Sequence, residues 1–222
     1  MSIIFSSVEL EKLKIILPLF ETAQKIFLAK LNQFNNELTN RQNSSPVEHI
    51  KGRLKTPQSI AQKLHRLGFE ITAENAKLYL KDIAGARIIC PFSKDIFSLV
   101  DSISLVPDWK ITEREDYISR PKPSGYRSFH LMVEIPVCCT PEAIAAGFGK
   151  TEIIPVEVQL RTAAMDFWAS MEHRVRYKYK EHVPAHLSDE LVICAEKIAD
   201  LDKRMLLIHE ILSLINQPGN GG

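Results

Sequence analysis

The sequence has few cysteines, almost no excess charge and no long apolar run. Its 222 residues include 4 cysteines without the spacing of a disulfide framework or a zinc motif, so we expect a reducing compartment. The 28 Lys and Arg nearly cancel the 27 Asp and Glu, and a net charge of +1 excludes a general nucleic-acid coat protein. Any anionic ligand must therefore be bound by a local cluster of charge.

Signals for export or membrane insertion are also missing. The segment from Met1 to Leu10 has no basic region and no small residues of the cleavage type, so we expect no signal peptide. The apolar run from Ile15 to Phe20 contains Pro18 and is far shorter than the roughly 20 residues that span a bilayer. We expect a cytoplasmic protein without a membrane partner.

What is present indicates a globular protein of mixed structure. Hydrophobic residues make up 45% of the chain and charged residues 25%, the usual balance for a domain with a real core. Strand-like and helix-like patterns alternate through the middle of the sequence, which favours an α/β or α+β core. The strands are predicted at 84–92, 109–112, 129–137 and 153–160.

Two long stretches near the ends of the chain have apolar residues at gaps of three and four. The first covers residues 8–38, with Pro18 as a candidate break, and the second runs from Leu191 to Ile215 after a candidate N-cap at Ser188. A seam as long as the second one usually packs on another long helix. It could cover residues 8–38 of the same chain or form a subunit interface, and the sequence leaves both open.

Two isolated carboxylates occur beside or within apolar strands, where a charge without a partner is costly. Asp82 precedes an apolar strand, and Glu157 lies inside another strand on the same face as Gln159. Two carboxylates on neighbouring strands can hold Mg²⁺, as phosphoryl transfer requires. Each could instead pair with an arginine such as Arg87 or Arg161, and spacing alone does not decide between the two.

The sharpest local charge bias lies between residues 51 and 66, which include five basic residues and no acidic one. Thr56 and Pro57 predict the N-cap and first residue of a helix. The free N–H groups of its first turn, together with Ser59 and Lys63, suit a triphosphate. A solvated basic helix face is the alternative interpretation.

A third cluster occupies residues 116–130. Gly125 would allow a ligand to approach closely, and Tyr126 could stack on a base. The alternative is a hairpin loop with an ordinary core tyrosine. The cations of this cluster are Arg120, Lys122 and Arg127.

Taken in order, these segments resemble the synthetase domain of the RelA/SpoT family over roughly residues 50–180. The runs that carry the resemblance are RLK at 53–55 with Ser59 and Lys63, DIAGAR at 82–87, DY at 116–117, GYRSFH at 125–130, EVQLRT at 157–162, FWA at 167–169 and EH at 172–173. The chain is similar to the small, RelP- or RelQ-like members of the family. The resemblance implies an α+β fold, a nucleotidyltransferase-like mixed sheet of about five strands flanked by helices, with long N- and C-terminal helices.

The resemblance also implies an activity, that of a GTP/GDP diphosphokinase in the stringent response. Such an enzyme moves pyrophosphate from ATP to the 3′-hydroxyl of GDP or GTP, which gives ppGpp or pppGpp and AMP. Asp82 and Glu157 would be catalytic and would bind Mg²⁺, with Glu157 activating the hydroxyl. The implied ATP-binding residues are Arg53, Lys55, Ser59, Lys63 and Arg87. The implied GDP- or GTP-binding residues are Tyr126, His130, Gln159, Asp166, Lys122 and Arg120.

The same resemblance suggests a division into an N-terminal helical region (1–48), a catalytic domain (49–182) and a C-terminal helix with a frayed tail (183–222). We expect synthesis without hydrolysis, because no His-Asp metal pair precedes the motifs, and a homotetramer built through the terminal helices. The segment 113–116 is similar to the acidic version found in some members of the family, and this resemblance implies a preference for GTP over GDP. Two rivals stay open: a toxin-type relative that pyrophosphorylates tRNA 3′ ends, using the cations of residues 174–180, and a non-catalytic alarmone- or RNA-binding module.

Overall fold

The computed structural model of the chain describes residues 4–42, 44–179 and 182–215. The strands in these ranges are β1 His49–Leu54, β2 Ala84–Cys90, β3 Lys110–Asp116, β4 Phe129–Cys138 and β5 Thr151–Thr162. The helices are α1 Ser7–Gln42, α2 Pro57–Arg66, α3 Ala73–Tyr79, α4 Ser93–Ser104, α5 Pro141–Ala145, α6 Ala163–Lys178 and α7 Ala185–Ile215. The predicted α+β class and the five-stranded mixed sheet are confirmed.

The five strands form one sheet in the order β1-β2-β5-β4-β3. Strands β2 and β5 are parallel, and the other three pairs are antiparallel. The central strand, β5, therefore pairs with β2 on one side and with β4 on the other. A bulge between Ile111 and Glu113 shifts the register of β3 on β4.

Strand β5 separates two environments by simple alternation. Its even-numbered residues from Ile154 to Leu160 are fully buried, and its odd-numbered residues Glu157 and Gln159 lie on the other face and are half-buried. Successive side chains of a strand point to opposite faces of the sheet. The sheet therefore has one face for the core and one open face on which polar side chains collect.

Helix α1 covers the core face. One apolar face of the helix is buried and contacts β2, β4 and β5, and Phe27 stacks on Trp109 with 5.4 Å between ring centroids. The buried face consists of Leu13, Ile16, Leu19, Phe20, Ala23, Phe27, Leu31 and Phe34. The expected face of residues 8–38 is confirmed, but Pro18 lies inside one continuous helix instead of breaking it. The predicted domain boundaries at 48 and 182 remain predictions, although α1 and the sheet share one core.

Helix α7 packs on α6 and leaves much of its apolar seam exposed. Its contacts with α6 involve Leu191, Ala195 and Ile198 around the buried Trp168. Beyond them, most of the large apolar side chains between residues 201 and 215 are exposed, and Leu206 is half-buried. Within the described residues the seam therefore does not cover residues 8–38, so that alternative is wrong. The helix also begins at Ala185, so Ser188 is not its N-cap.

Two elements were missed by pattern reading. Strand β1 overlaps the basic segment and is not predicted from the sequence, because HIKGRL has no clean alternation of apolar residues. Helix α5 is only five residues long, too short to show a helical periodicity in the sequence. The cap of α2 is confirmed, since the Thr56 side chain accepts a hydrogen bond from the Ser59 N–H.

In the part of the chain that the structure describes, no helix combines the length and the apolar character that crossing a membrane requires.

One buried amide ties α1 to the strands that carry the open face. The Nε2 group of Gln24 donates hydrogen bonds to the carbonyl oxygens of Arg53, at 2.8 Å, and Gly85, at 2.7 Å. These two residues are register partners in β1 and β2. Because Gln24 is only 9% exposed, water cannot readily replace its amide.

We predict that Gln24→Met lowers the free energy of unfolding by about 1–3 kcal/mol, the cost of leaving buried polar groups without a partner. The change keeps the length and flexibility of the side chain and removes the amide that donates the two bonds. The matched control is Gln33→Met on the exposed face of α1, where the amide bonds only to exposed side chains. Urea unfolding measures both variants. Equal stability of the two would contradict this role of Gln24.

Candidate active site

The open face of the sheet carries two rows of functional side chains, which the register of the strands aligns. Arg53 of β1 is the register partner of Gly85, Gly85 of Glu157, and Glu157 of Met132. Register partners in adjacent strands present their side chains on the same face. A second row, one residue pair along, contains Lys51, Arg87, Gln159, His130 and Glu115. Five strands thus contribute to one surface.

A cavity of about 400 Å³ lies over β1, β2 and β5 on this face. Its lining includes Arg53, Arg87 and Glu157, together with Gly85, which lies between Arg53 and Glu157 in the first row and has no side chain to fill the space there. A Cβ atom at Gly85 would lie 3.2 Å from the carbonyl oxygen of Glu157. The cavity therefore exists because β2 carries a glycine beside the carboxylate.

A second cavity of about 320 Å³ adjoins the first at Arg53 and reaches to α2. Lys55 enters it from the end of β1, and Ser59 and Lys63 lie one turn apart on α2. With Arg53 and Arg66 the lining has four cations and a single carboxylate, that of Asp82. Lys63 and Arg66 belong to the last turn of α2, while its first turn, at Ser59, offers free N–H groups. Positive charge beside free N–H groups suits a polyphosphate.

Asp82 lies just before β2, at the boundary of this cationic cavity. Its Oδ2 atom accepts hydrogen bonds from Lys55 at 2.8 Å and Lys63 at 2.5 Å. Burial acts to raise the pKa of Asp82, but the bonds and charges of the two lysines outweigh it and hold the pKa below its ordinary value. Asp82 is therefore ionised at neutral pH. Its Oδ1 atom is buried and has no hydrogen-bond partner in the part of the chain that the structure describes.

The unpartnered oxygen of Asp82 bears on whether a metal fits here. A buried carboxylate oxygen without a donor is costly, and a divalent cation would satisfy it. Within residues 4–42, 44–179 and 182–215, no group of three or more His, Cys, Asp or Glu side chains could hold a metal ion. A cation here would have to take most of its ligands from phosphate and water, as Mg²⁺ does in nucleotide sites.

The other half of the open face is an aromatic cluster. The hydroxyl of Tyr126 lies 2.8 Å from Nε2 of His130, and the two rings meet edge to face with 5.8 Å between centroids. Tyr117 packs edge to face on both rings. The ammonium of Lys122 lies 4.3 Å from the ring centroid of Tyr117 and 5.5 Å from that of Tyr126. These rings offer a flat ligand a stacking surface with a cation beside it.

His130 is neutral in this cluster. Burial lowers its pKa to about 4, and the nearby charges of Arg161, Lys122 and Arg87 act in the same direction, while Glu115 opposes them. A neutral imidazole has one nitrogen that donates and one that accepts. His130 can therefore accept a hydrogen bond from the Tyr126 hydroxyl across the pH range in which the protein works.

The loop between β3 and β4 reaches the cluster from one side. Arg120 is exposed on this loop and interacts with Asp116, whereas Lys122 lies over the aromatic rings. Gly125 has a φ of +89°, and a Cβ atom there would lie 2.6 Å from the Cβ atom of Ala195 in α7. Only glycine suits this backbone and this close approach. The position of Tyr126 therefore depends on α7.

The predicted site residues fall into two groups along the face. The arginines proposed as salt-bridge partners of Asp82 and Glu157 lie near Asp166 instead, Arg87 at 3.4 Å and Arg161 at 3.0 Å from its Oδ1 atom. The residues in or beside the two cavities are Arg53, Lys55, Ser59, Lys63, Asp82, Arg87, Glu157 and Gln159. The residues of the aromatic group are Tyr126, His130, Lys122 and Asp166, with Arg120 remote on the loop.

Arg161 was not singled out as a site residue by sequence reasoning. It is buried beneath the aromatic cluster and bonds to Tyr126, Gln159 and Asp166. The signal that could have found it is the period of two in β5, which puts residues 157, 159 and 161 on the same face.

Comparison with known proteins shows the family to which the chain belongs. The family described as a region found in RelA/SpoT proteins matches residues 52–182. The GTP pyrophosphokinase YwaC of Bacillus subtilis is 46% identical over 162 residues, which is 73% of each chain. The crystal structure of the small alarmone synthetase 2 from Bacillus subtilis has a TM-score of 0.76 at 38% identity, over 89% of this chain and 97% of that one.

A further solved structure contains a ligand. The small alarmone synthetase 1 from Bacillus subtilis, bound to its product pppGpp, has a TM-score of 0.74 at 32% identity and covers 88% of this chain and 95% of that one. The matched region contains the strands and the cationic helix that build the open face. The chain belongs to the RelA/SpoT family and has the fold of its small alarmone synthetases.

Proposed function

We propose that this protein is a (p)ppGpp synthetase, which transfers pyrophosphate from ATP to the 3′-hydroxyl of GDP or GTP and releases AMP. One observation carries the proposal: a cationic cavity, a central carboxylate and an aromatic cluster lie one after another along one face of the sheet. A donor triphosphate at one end and an acceptor base at the other would meet at Glu157. That order is what transfer between two bound nucleotides requires.

The donor half accounts for the cations around α2. Lys55, Ser59 and Lys63 would hold the triphosphate of ATP, and Arg53 and Arg87 would sandwich its adenine. In the free protein Lys55 and Lys63 are paired with Asp82. Binding of ATP therefore replaces one carboxylate with several phosphate oxygens as the partners of these two ammonium groups.

We propose Asp82 and Glu157 as the protein's ligands for Mg²⁺, which would neutralise phosphate charge during transfer. The carboxylate of Asp82 fits this role because it is ionised and one of its oxygens is buried without a partner among the described residues. Glu157 lines the adjoining cavity from the central strand. When phosphates draw Lys55 and Lys63 away, the second oxygen of Asp82 also loses its partners, which makes a cation more favourable there.

The acceptor half supplies the nucleophile. Tyr126 would stack on the guanine, with His130, Gln159 and Asp166 around the acceptor and Lys122 and Arg120 on a loop that closes over its phosphates. The 3′-hydroxyl oxygen attacks the β-phosphorus of ATP, the bond from that phosphorus to the α–β bridging oxygen breaks, and AMP leaves with the bridging oxygen. The hydroxyl proton passes to the carboxylate of Glu157.

We predict that Glu157→Gln lowers kcat by about 10²–10⁴-fold, the usual contribution of a positioned base, while the protein stays folded. Glu21→Gln on the exposed side of α1 is the matched control and keeps full activity. Release of AMP and formation of ppGpp or pppGpp, separated by anion exchange, measure the reaction. Activity of Glu157→Gln within a few-fold of the wild type would remove Glu157 from this role.

Asp82→Asn tests the metal role separately. We predict that it raises the Mg²⁺ concentration needed for half-maximal rate by about tenfold or more, because a neutral amide is a weaker ligand for a hard cation. The titration uses saturating ATP and GDP. An unchanged Mg²⁺ dependence would exclude Asp82 as a ligand.

The acceptor preference has its own prediction. Glu113 and Glu115 lie on β3, and Glu115 accepts a hydrogen bond from the Tyr117 hydroxyl. Both belong to the acidic segment 113–116, from which we expect a preference for GTP. Initial rates with GDP, GTP and GMP, measured side by side, should be highest with GTP. A clear preference for GDP would overturn this expectation.

The two rivals give different results in the same assay. A labelled 3′ end on added tRNA, without product from free guanine nucleotides, would favour the toxin-type activity. The cations proposed for tRNA include Arg174 and Lys178 on α6, whereas Lys180 lies outside the described residues. Binding of alarmone without any turnover would favour the non-catalytic module.

We also propose that the protein is a homo-oligomer, with a tetramer as the expected state, assembled through α7. The half of α7 that extends beyond α6 exposes large apolar side chains at gaps of three and four, a stripe that a second copy of the same helix would bury. The exposed fractions are 54% for Leu201, 50% for Met205, 50% for Ile208, 52% for Leu212 and 69% for Ile215. Exposed apolar patches of this length mark protein–protein contacts.

We predict that Ile208→Glu combined with Leu212→Glu shifts the molar mass in solution from an oligomer to a smaller species. Burying two carboxylates in an apolar seam is strongly unfavourable. Lys203→Glu, on another face of the same helix, should leave the mass unchanged. Size-exclusion chromatography with light scattering measures all three proteins, and a monomeric wild type would contradict the proposal.

A further inference from the structure

The side chain of Arg161 is the most buried basic group among the described residues that bonds to the site. It is 5% exposed and lies on the open face of β5, under the aromatic cluster. Its hydrogen-bond partners are the Tyr126 hydroxyl at 2.6 Å, Oδ1 of Asp166 at 3.0 Å, Oε1 of Gln159 at 3.2 Å and Oγ of Ser128 at 3.4 Å. All three nitrogens of the guanidinium are used.

A guanidinium buried in this way needs partners, because an unpaired buried charge costs several kcal/mol. Here the partners are themselves the residues proposed to bind the acceptor. Three of the four, Tyr126, Gln159 and Asp166, belong to that set. The rigid fork of arginine fixes several acceptors at defined angles, which the single ammonium of lysine cannot do. Arg161 therefore constrains the geometry of the acceptor site from below.

The contact with Tyr126 also bears on the direction of the next hydrogen bond. Arginine only donates, so the Tyr126 oxygen accepts from Arg161. A charged donor on a hydroxyl oxygen strengthens the O–H group as a donor to its other partner. That partner is Nε2 of His130, at 2.8 Å. A neutral imidazole that accepts at Nε2 carries its proton on Nδ1.

We propose that Arg161 is a positioning residue of the acceptor site, which holds Tyr126, Gln159 and Asp166 in place and makes the Tyr126 hydroxyl the donor to Nε2 of His130. The proposal deepens the proposed function and rests on it for its catalytic consequences. Arg161 acts from beneath the stacking surface, through residues above it. Without it, the tyrosine ring would lose its anchor and the histidine its fixed tautomer.

The same network reaches the donor half through Asp166. Its Oδ1 atom accepts from Arg161 and lies 3.4 Å from Arg87, which lines the donor cavity. When Arg161 is replaced, Arg87 can still pair with the carboxylate of Asp166. We therefore expect the substitution to affect the donor site much less than the acceptor site. This asymmetry separates a positioning role from a general loss of structure.

The test compares Arg161→Gln with Arg161→Lys, and uses Arg41→Gln on the exposed last turn of α1 as the matched control. For Arg161→Gln we expect the KM for GDP and GTP to rise by about 10- to 100-fold, the value of hydrogen bonds to a charged group. The KM for ATP should change by less than about threefold. Arg161→Lys should restore part of the acceptor affinity, and Arg41→Gln should match the wild type.

Nuclear magnetic resonance of protein with ¹⁵N-labelled histidine gives a readout that does not depend on turnover. The signal of His130 is assigned with His130→Gln. In the wild type we expect the Nδ1-protonated tautomer and a pKa well below 6.5. Arg161→Gln should shift the ring towards a mixture of tautomers and raise this pKa, because a neighbouring positive charge is lost. Arg161→Lys should keep the low pKa, because it keeps the charge.

A double-mutant cycle with Tyr126→Phe isolates the hydroxyl. If Arg161 acts through that hydroxyl, Arg161→Gln should change the acceptor KM and the His130 signals less in the Tyr126→Phe background than in the wild type. Full additivity would contradict the proposal. So would an Nε2-protonated His130 in the wild type, or equal rises in the KM for ATP and for the guanine nucleotide. Inactivity of the wild type with every guanine nucleotide would sink the proposed function, while the His130 tautomer would still decide the contact.

Discussion

Strand β5 has to serve the hydrophobic core and the polar site at once, and the rest of the molecule follows from that constraint. Its even-numbered residues are buried against α1, and its odd-numbered residues Glu157, Gln159 and Arg161 line the open face. A register slip of one residue would exchange the two sets. The parallel pairing with β2 and the antiparallel pairing with β4 fix that register on both sides. The site is therefore as well ordered as the core beneath it.

Several charged side chains of the site form ion pairs with one another before substrate binds. Lys55 and Lys63 share one oxygen of Asp82, and Arg87 and Arg161 lie on either side of one oxygen of Asp166. Each carboxylate thus keeps two cations in place at modest cost. A polyphosphate can then compete for the lysines, while the buried Arg161 keeps its partners. In this account Lys55 and Lys63 exchange their carboxylate for phosphate, whereas Arg161 keeps a structural role.

Sequence patterns predicted the main elements because their periodicity is strong. Helix α1, the strands around residues 84–90, 129–138 and 151–162, and the cap of α2 all follow from local rules. Strand β1 could not be found in that way, because its stability comes from pairing with β2 and from Gln24, not from its own residues. For the same reason the pairing of Asp82 with two lysines from other elements was not foreseen. Contacts between distant segments are set by the fold as a whole.

The central claim is that donor and acceptor nucleotides meet over Glu157 on one face of the sheet. A crystal structure of the protein with Mg²⁺, GDP and a non-reactive ATP analogue tests it most directly. The account predicts the analogue's phosphates on Lys55 and Lys63, the guanine on Tyr126, and the acceptor 3′-hydroxyl within hydrogen-bond distance of Glu157. A guanine nucleotide bound away from Tyr126, or a 3′-hydroxyl remote from Glu157, would contradict it.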